Sequence, residues 1–362
     1  MEFYRKIMIL CIVILTTYML FRLLSIRWKM QEENAKANST LASGLDVEPF
    51  TTDVKIQNTN NADVALLHYV VKGSFHSAYN YNTNKIELKM LSTVLERGVR
   101  FLDFEVYSVQ GEAVVGYSST LNASSNTVES SNSPDDPDAR IATIFNEINL
   151  KKPPNLTDPL FIQLRIKSSL PEVYSKIARA IDTAFSGVLY SNPEAGQDGR
   201  WIDLQKPLSH YRGKTIIVID KINSTAGYSD IAKCKGESGE GCYDLNKYVN
   251  LETGGDICFS TTHATIVGSK LNTLNINSDN VTVNIDGNPP KKWIFSMPNP
   301  IENPNKYDIG DMIQNHAVNI ALFRFDQDDE SSPGSHLAKY ENLFLTSAYL
   351  TMVNALQRLK SL

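Results

Sequence analysis

Three stretches, HYVVKGSFHSAYN (68–80), LERGVRFLDFEVY (95–107) and EAVVGY (112–117), decide how the rest of the chain is read. Residues 65–71, ALLHYVV, are strand-like, and the polar turn that follows carries His76. IELKMLSTVLERG at 86–98 has helical spacing and ends at Gly98, the residue type that closes a helix in the left-handed conformation. VRFLDFEVY at 99–107 then alternates as a strand, and EAVVGY at 112–117 predicts another. Strand, helix and strand in that order predict a parallel pair with a crossover.

The same alternation continues outward. A polar loop over 118–138 leads to a helix at 139–149, the strand PLFIQLRI at 159–166 and a helix at 171–186. TIIVID (215–220), DICFSTTH (256–263), KWIFSM (292–297) and VNIALFRF (318–325) are further buried-strand candidates. The stretch HLAKYENLFLTSAYLTMVNALQRLKSL (336–362) is expected to form one long amphipathic helix, and INSDNVTVNIDGN (276–288) a hairpin. Seven or eight strands alternating with helices over residues 63–362 predict an α/β fold, a distorted (β/α)8 TIM barrel. No G-x-G-x-x-G or Walker loop follows any strand, so nucleotide-binding sheets lose support.

IMILCIVILTTYMLFRLL (7–24) is apolar apart from two threonines, a tyrosine and Arg22. Its 18 residues suffice for a membrane-spanning helix, and the flank lacks the small-residue site of a cleaved signal. Residues 1–30 are therefore expected to form an N-terminal single-pass membrane anchor, and the polar residues 31–62 a stalk. Basic residues on both flanks leave the orientation open. Sequons start at Asn38, Asn122, Asn155, Asn223 and Asn280, as would suit a glycoprotein outside the cytosol. Across 362 residues, 42% hydrophobic and 21% charged, the composition excludes a disordered, collagen-like or coiled-coil chain. A net charge of −5 implies no broad cationic face, so no nucleic-acid partner is expected. Four cysteines are too few for a disulfide scaffold, although Cys234 and Cys242 flank a Gly-rich loop that a disulfide could close.

A barrel carries its chemistry at the C-terminal ends of its strands. That criterion selects His76, Asp103, Glu105, Tyr117, Arg165 and, less directly, His263. An imidazole after the first strand suits a general base. Asp103 and Glu105 lie two residues apart, so their side chains share a face of one strand. Two inward carboxylates need a cation, a metal or a proton; Ca²⁺ and salt bridges to Arg100 and Arg165 are both open. His68 is expected in the core, and His210, His316 and His336 at the surface or at helix ends. The acidic DQDDE (326–330) reads as a solvated loop.

These segments resemble the X region of phosphatidylinositol-specific phospholipase C. The family pattern is a strand, S-H-N/D-T-Y, a helix, G-x-R-x-x-(E/D)-x-D-x-W, and an apolar strand ending in H-G. The resemblance covers residues 65–167 and continues in outline to 345. It implies a PLC-like phosphodiesterase barrel, with lipid metabolism as the setting and a phosphoinositide headgroup of a membrane lipid as ligand. In the family one histidine deprotonates the inositol hydroxyl and a second protonates the leaving group, while Ca²⁺ or an arginine neutralises charge. His76 falls on the first histidine, Asp103 and Glu105 on the acidic positions, and Ser77 where Asn or Asp is usual. Tyr117 stands at the second histidine, and Arg165 where the metal-dependent branch has a glutamate. The departures imply reduced or lost activity, a pseudoenzyme in the limit, and a lesser place for Ca²⁺. Two alternatives stand beside that reading. One is an active phosphodiesterase with His76 as base; the other is a structural membrane or virion protein, the pattern being similar to proteins of large DNA viruses.

Overall fold

The computed structural model describes residues 64–121, 128–133, 135–151, 158–191, 199–234, 243–268, 274–277, 280–283, 292–301, 306–325 and 335–362. The expected anchor and stalk, the acidic loop 326–330 and the sequons at Asn38, Asn122 and Asn155 lie outside these residues. Among the described residues no helix is long and apolar enough to cross a membrane.

Ten strands form the main sheet: β1 (Tyr69–Ser74), β2 (Phe101–Val109), β3 (Glu112–Gly116), β4 (Leu160–Ile166), β5 (Thr215–Asp220), β6 (Val249–Thr253), β7 (Cys258–Thr262), β8 (Trp293–Met297), β9 (Ile320–Phe323) and β10 (Tyr349–Thr351). Eight of them run parallel in the order β6-β5-β4-β2-β1-β9-β8-β7, while β3 pairs antiparallel with β2 and β10 with β1. This is a distorted TIM-like barrel. The end strands β6 and β7 are consecutive in sequence, and the turn between them donates Gly254 N–H to the Cys258 carbonyl at 2.8 Å. The expected cylinder thus has a seam spanned by a turn, with no β6–β7 ladder among the described residues.

Period-two alternation sorts the side chains into two cores. Val71, Phe101, Phe161, Ile216, Val218, Trp293, Phe295, Ile320 and Leu322 fill the floor of the barrel. Leu102, Phe104, Ile162, Leu164, Ile217 and Ile219 face outward, under the helices α1 (Leu88–Glu96), α2 (Ile141–Lys151) and α3 (Pro171–Phe185). Both faces of β4 are covered, which is why LFIQLRI reads as a nearly continuous apolar run. Register places Phe101 beside Phe161, Asp103 beside Gln163 and Glu105 beside Arg165. The inward column is therefore aromatic at the floor and charged toward the mouth.

The expected long C-terminal helix is three elements. After α4 (Tyr228–Ile231), α5 (His263–Gly268) and α6 (Ile309–His316), the chain forms α7 (His336–Leu343), then β10, then α8 (Met352–Leu359). The first residues of β1 project beyond β2, whose pairing with β1 begins only at Gly73. Tyr349–Thr351 supplies partners for that open edge, and the demand for backbone hydrogen bonds overrides the helical periodicity. A second departure is β6, which the sequence reading omits because VNLET is short and polar. Asn250 in it accepts from the Ile217 N–H at a bulge and donates to the carbonyls of Tyr190 and Arg200. The predicted hairpin is present as Leu274–Asn277 paired with Asn280–Val283.

Gly73 on β1 makes room for Leu322 of the neighbouring β9. A Cβ there would lie 2.6 Å from Leu322 Cδ2. From α7, Tyr340 brings its buried hydroxyl to the Gly73 N–H at 2.6 Å. The same hydroxyl stands 3.0 Å from the Ala321 carbonyl. Tyr340→Phe removes a buried hydroxyl that bonds both the Gly73 N–H and the Ala321 carbonyl, an expected loss of about 0.5–1.5 kcal/mol. Urea unfolding measures it; an unchanged midpoint would show that this bond does not hold α7 to the barrel.

Candidate active site

His76 sits just past β1 with φ at 48°, a left-handed conformation uncommon for a residue other than glycine. Its neighbours over-determine it. His76 N–H donates to Asp103 Oδ2 (3.1 Å), and Ser77 N–H to the Asp103 carbonyl (2.9 Å). In return Asp103 N–H donates to Ser77 Oγ (2.9 Å). Ser77, where the family has Asn or Asp, thus ties the turn to β2.

The imidazole is buried, 3% exposed, and stacked on Phe75 with ring centroids 3.9 Å apart. Nδ1 is hydrogen-bonded to the Tyr81 hydroxyl. Nε2 has no hydrogen-bond partner and stands 3.8 Å from Glu105 Oε2. Burial, reinforced by the positive charges of Arg165, Arg324 and Lys167, holds the His76 pKa well below its ordinary value. The ring is neutral at pH 7, with an orphaned nitrogen facing the site.

Arg165 locks the two carboxylates. Its Nε and Nη2 grip Asp103 at 2.9 and 2.7 Å, and Nη1 donates to Glu105 Oε1. Gln163 Nε2 donates to Asp103 Oδ1 at 3.1 Å. Glu105 Oε2 accepts from the Tyr107 hydroxyl (2.9 Å) and the Ser118 N–H (3.0 Å). Burial works against the guanidinium's charge, but Asp103 and Glu105 outweigh it and raise the Arg165 pKa. Burial likewise pushes Glu105 up, against the pull of Arg165. Arg100, the other expected partner, is not in the cluster; its Nε lies 3.8 Å from Asp158.

This donor set does not fit Ca²⁺. A calcium ion takes about six to eight oxygens. Both oxygens of Asp103 and both of Glu105 already accept hydrogen bonds, and an ion between them would have to expel Arg165. Of the two readings left open for Asp103 and Glu105, a metal or ion pairs, this arrangement matches ion pairs with Arg165.

Tyr117 packs against the same cluster. Its ring stacks on Tyr79 at 4.4 Å and meets the His76 ring edge-on at 5.2 Å. The hydroxyl reaches the Pro300 carbonyl at 3.5 Å, and burial, then Glu129, pushes its pKa above the ordinary phenol value. His76, Asp103, Glu105, Tyr117 and Arg165 therefore come together at one mouth. His263 does not join them. Its Nδ1 is bonded to Ser296 Oγ (2.7 Å) and its Nε2 to the Leu322 carbonyl (2.9 Å), so it braces β8 and β9. His68, expected in the core, is exposed on a single 3-10 turn (Leu66–His68) ahead of β1.

The structure adds residues that the sequence reading passed over. Lys167 continues the inward column of Gln163 and Arg165, and its phase was visible in IQLRIK. Arg324, whose guanidinium stacks on the Tyr81 ring, follows β9 by one residue within the predicted strand VNIALFRF and continues the inward phase of Ile320 and Leu322. Tyr81 comes from a loop and carries no periodic signal. At the rim, the Asn223 amide of one sequon donates to Asp220 Oδ2 at 2.8 Å. Cys234 is disulfide-bonded, and Cys242 lies outside the described residues.

No protein-family model and no curated protein matches the sequence. Among solved structures the chain is similar to PLC21 of L. pealei, with a TM-score of 0.55 and 14% identity over 80% of this chain and 37% of that one. PLC21 of S. officinalis aligns at 0.54 and 13%, over 81% and 37%. The fold is that of the PLC-like barrels. The chain thus spans 37% of the length of either PLC21. A calcium-dependent phosphoinositol-specific phospholipase C from a Pseudomonas species aligns at a TM-score of 0.43 with 11% identity, over 74% of this chain and 93% of that one. The charged layer lies midway along β2 and at the C-terminal end of β4.

Proposed function

We propose that this protein is a membrane-anchored PLC-like barrel whose mouth binds the phosphodiester of a phosphoinositide-type headgroup, with hydrolysis reduced or lost. The observation that carries the reading is the buried, unpartnered His76 Nε2 beside an acid pair held by Arg165. A neutral imidazole there can accept a proton from a substrate hydroxyl as that oxygen attacks phosphorus. The departing oxygen then needs a proton. Tyr117, with its raised pKa and its hydroxyl directed to Pro300, is poorly matched to that task. Absence of a matched acid costs about 10²- to 10⁴-fold in rate. Binding without turnover is the second reading, and the same placement of Tyr117 favours it.

The test is headgroup release from phosphatidylinositol vesicles by the full chain, with calcium and with a chelator. Slow or absent release that chelation leaves unchanged is expected, together with headgroup binding. Strong stimulation by calcium would contradict the reading, because it would require Arg165 to leave Asp103 and Glu105.

A further inference from the structure

The inward column of β4 carries Gln163, Arg165 and Lys167, the last nearest the mouth. Lys167 follows the strand by one residue, and its N–H donates to the Val106 carbonyl at 2.7 Å. The side chain is wholly buried. Its Nζ donates to the Leu121 carbonyl (3.0 Å) and stands 3.9 Å from Glu105 Oε1. Across the same carboxylate, Oε2 is 3.8 Å from the orphaned His76 Nε2. A single carboxylate thus lies between an imidazole nitrogen and an ammonium.

Arg165 is the cation less suited to a ligand. All three of its nitrogens are engaged by Asp103 or Glu105, and its plane lies over the Phe75 ring at 4.9 Å. One guanidinium against two carboxylates does not attract an anion. Lys167 is the next positive charge in the column.

We propose that Lys167 is the phosphate-binding cation of this mouth, with Nζ meeting a non-bridging oxygen of a phosphodiester whose hydroxyl end lies at His76 Nε2. The assignment rests on the phosphodiester reading above and names the group that holds the phosphate. The chemistry is that of a phosphodiester, carried by a lipid headgroup or by a soluble glycerophosphodiester. The charged groups that face Lys167 are Arg165 from β4, Glu105 and Asp103 from β2, and Asp220 from β5. Burial, then Arg165, brings the ammonium down to about 8, so it is charged at pH 7 and loses its charge above that value.

The experiment uses the full chain in detergent micelles, with calorimetric titration of glycerophosphoinositol. Sedimentation with phosphatidylcholine vesicles, with and without phosphatidylinositol, forms the lipid arm. Lys167→Met is expected to weaken binding about tenfold or more. Wild-type affinity is expected to be level near pH 7 and to fall by about tenfold per unit well above pH 8, where the diester itself does not titrate. Loss in the free-diester arm supports the assignment with a soluble source, and loss confined to inositol-lipid vesicles supports it with a lipid source. Equal binding by wild type and Lys167→Met overturns the assignment alone. If the variant does not fold, the wild-type profile decides, and a profile level up to pH 10 overturns the assignment. Wild type that binds neither the free diester nor the vesicles overturns the assignment and the phosphodiester reading together.

Discussion

Arg165→Met is expected to destabilise the barrel by about 3–5 kcal/mol, the usual consequence of removing one partner from a buried ion pair. Arg165 is wholly buried, as are Asp103 and Glu105, so no water can replace the guanidinium. Methionine fills much of the volume and makes none of the three charged hydrogen bonds. Gln163, the His76 N–H, Tyr107 and the Ser118 N–H remain, all neutral donors. Without the cation, the buried carboxylates are most costly where they stay ionised. The deficit against wild type should therefore be greatest near neutrality and narrow as pH falls. Urea unfolding at neutral and acid pH measures both parts. A loss well under 1 kcal/mol at neutral pH would mean that the cluster is hydrated and not the dry ion pair described here.

The second large effect is on chemistry. His76→Asn is expected to lower any phosphodiester turnover by about 10²- to 10⁴-fold while headgroup binding persists. Asparagine is the chosen replacement because it tolerates the left-handed backbone at this position, where alanine would add strain. The pH dependence has a definite sign. The folded-state pKa of His76 lies well below the ordinary value. The base is thus available through neutrality, and turnover fails only as acid protonates it. For the same reason the unfolded chain takes up that proton first, so His76 makes wild type less stable as pH falls below about 6.5. His76→Asn should remove that part of the acid sensitivity. Turnover equal to wild type would remove His76 from the site's chemistry, whatever its burial.

Much of this architecture is legible in the chain, and the exceptions have physical causes. TIIVID is a strand over the predicted residues, and Gly98 closes α1 at φ 79° as its position after LER predicts. Asp103, Glu105 and Arg165 could be placed on one inward layer because the strand period is two and register sets them side by side. Local pattern fails where a distant edge decides. Tyr349–Thr351 has helical periodicity but pairs with β1. The site divides in the same way. Lys167 stands in phase with Arg165, and Arg324 with Ile320 and Leu322, so both were readable; Tyr81 reaches His76 from a loop whose path no periodicity encodes. Calcium was left open for Asp103 and Glu105 because spacing alone does not show that one arginine satisfies both.

The most direct test of the central claim, a phosphodiester site centred on His76, is nitrogen NMR of the histidine rings at pH 7 during titration with glycerophosphoinositol. His76 is expected to be neutral before ligand, with Nε2 unprotonated and moving on binding, while the ring of His263, bonded at both nitrogens, stays in place. A cationic His76 in the free protein, or saturation that shifts other histidines and leaves His76 unmoved, would contradict it.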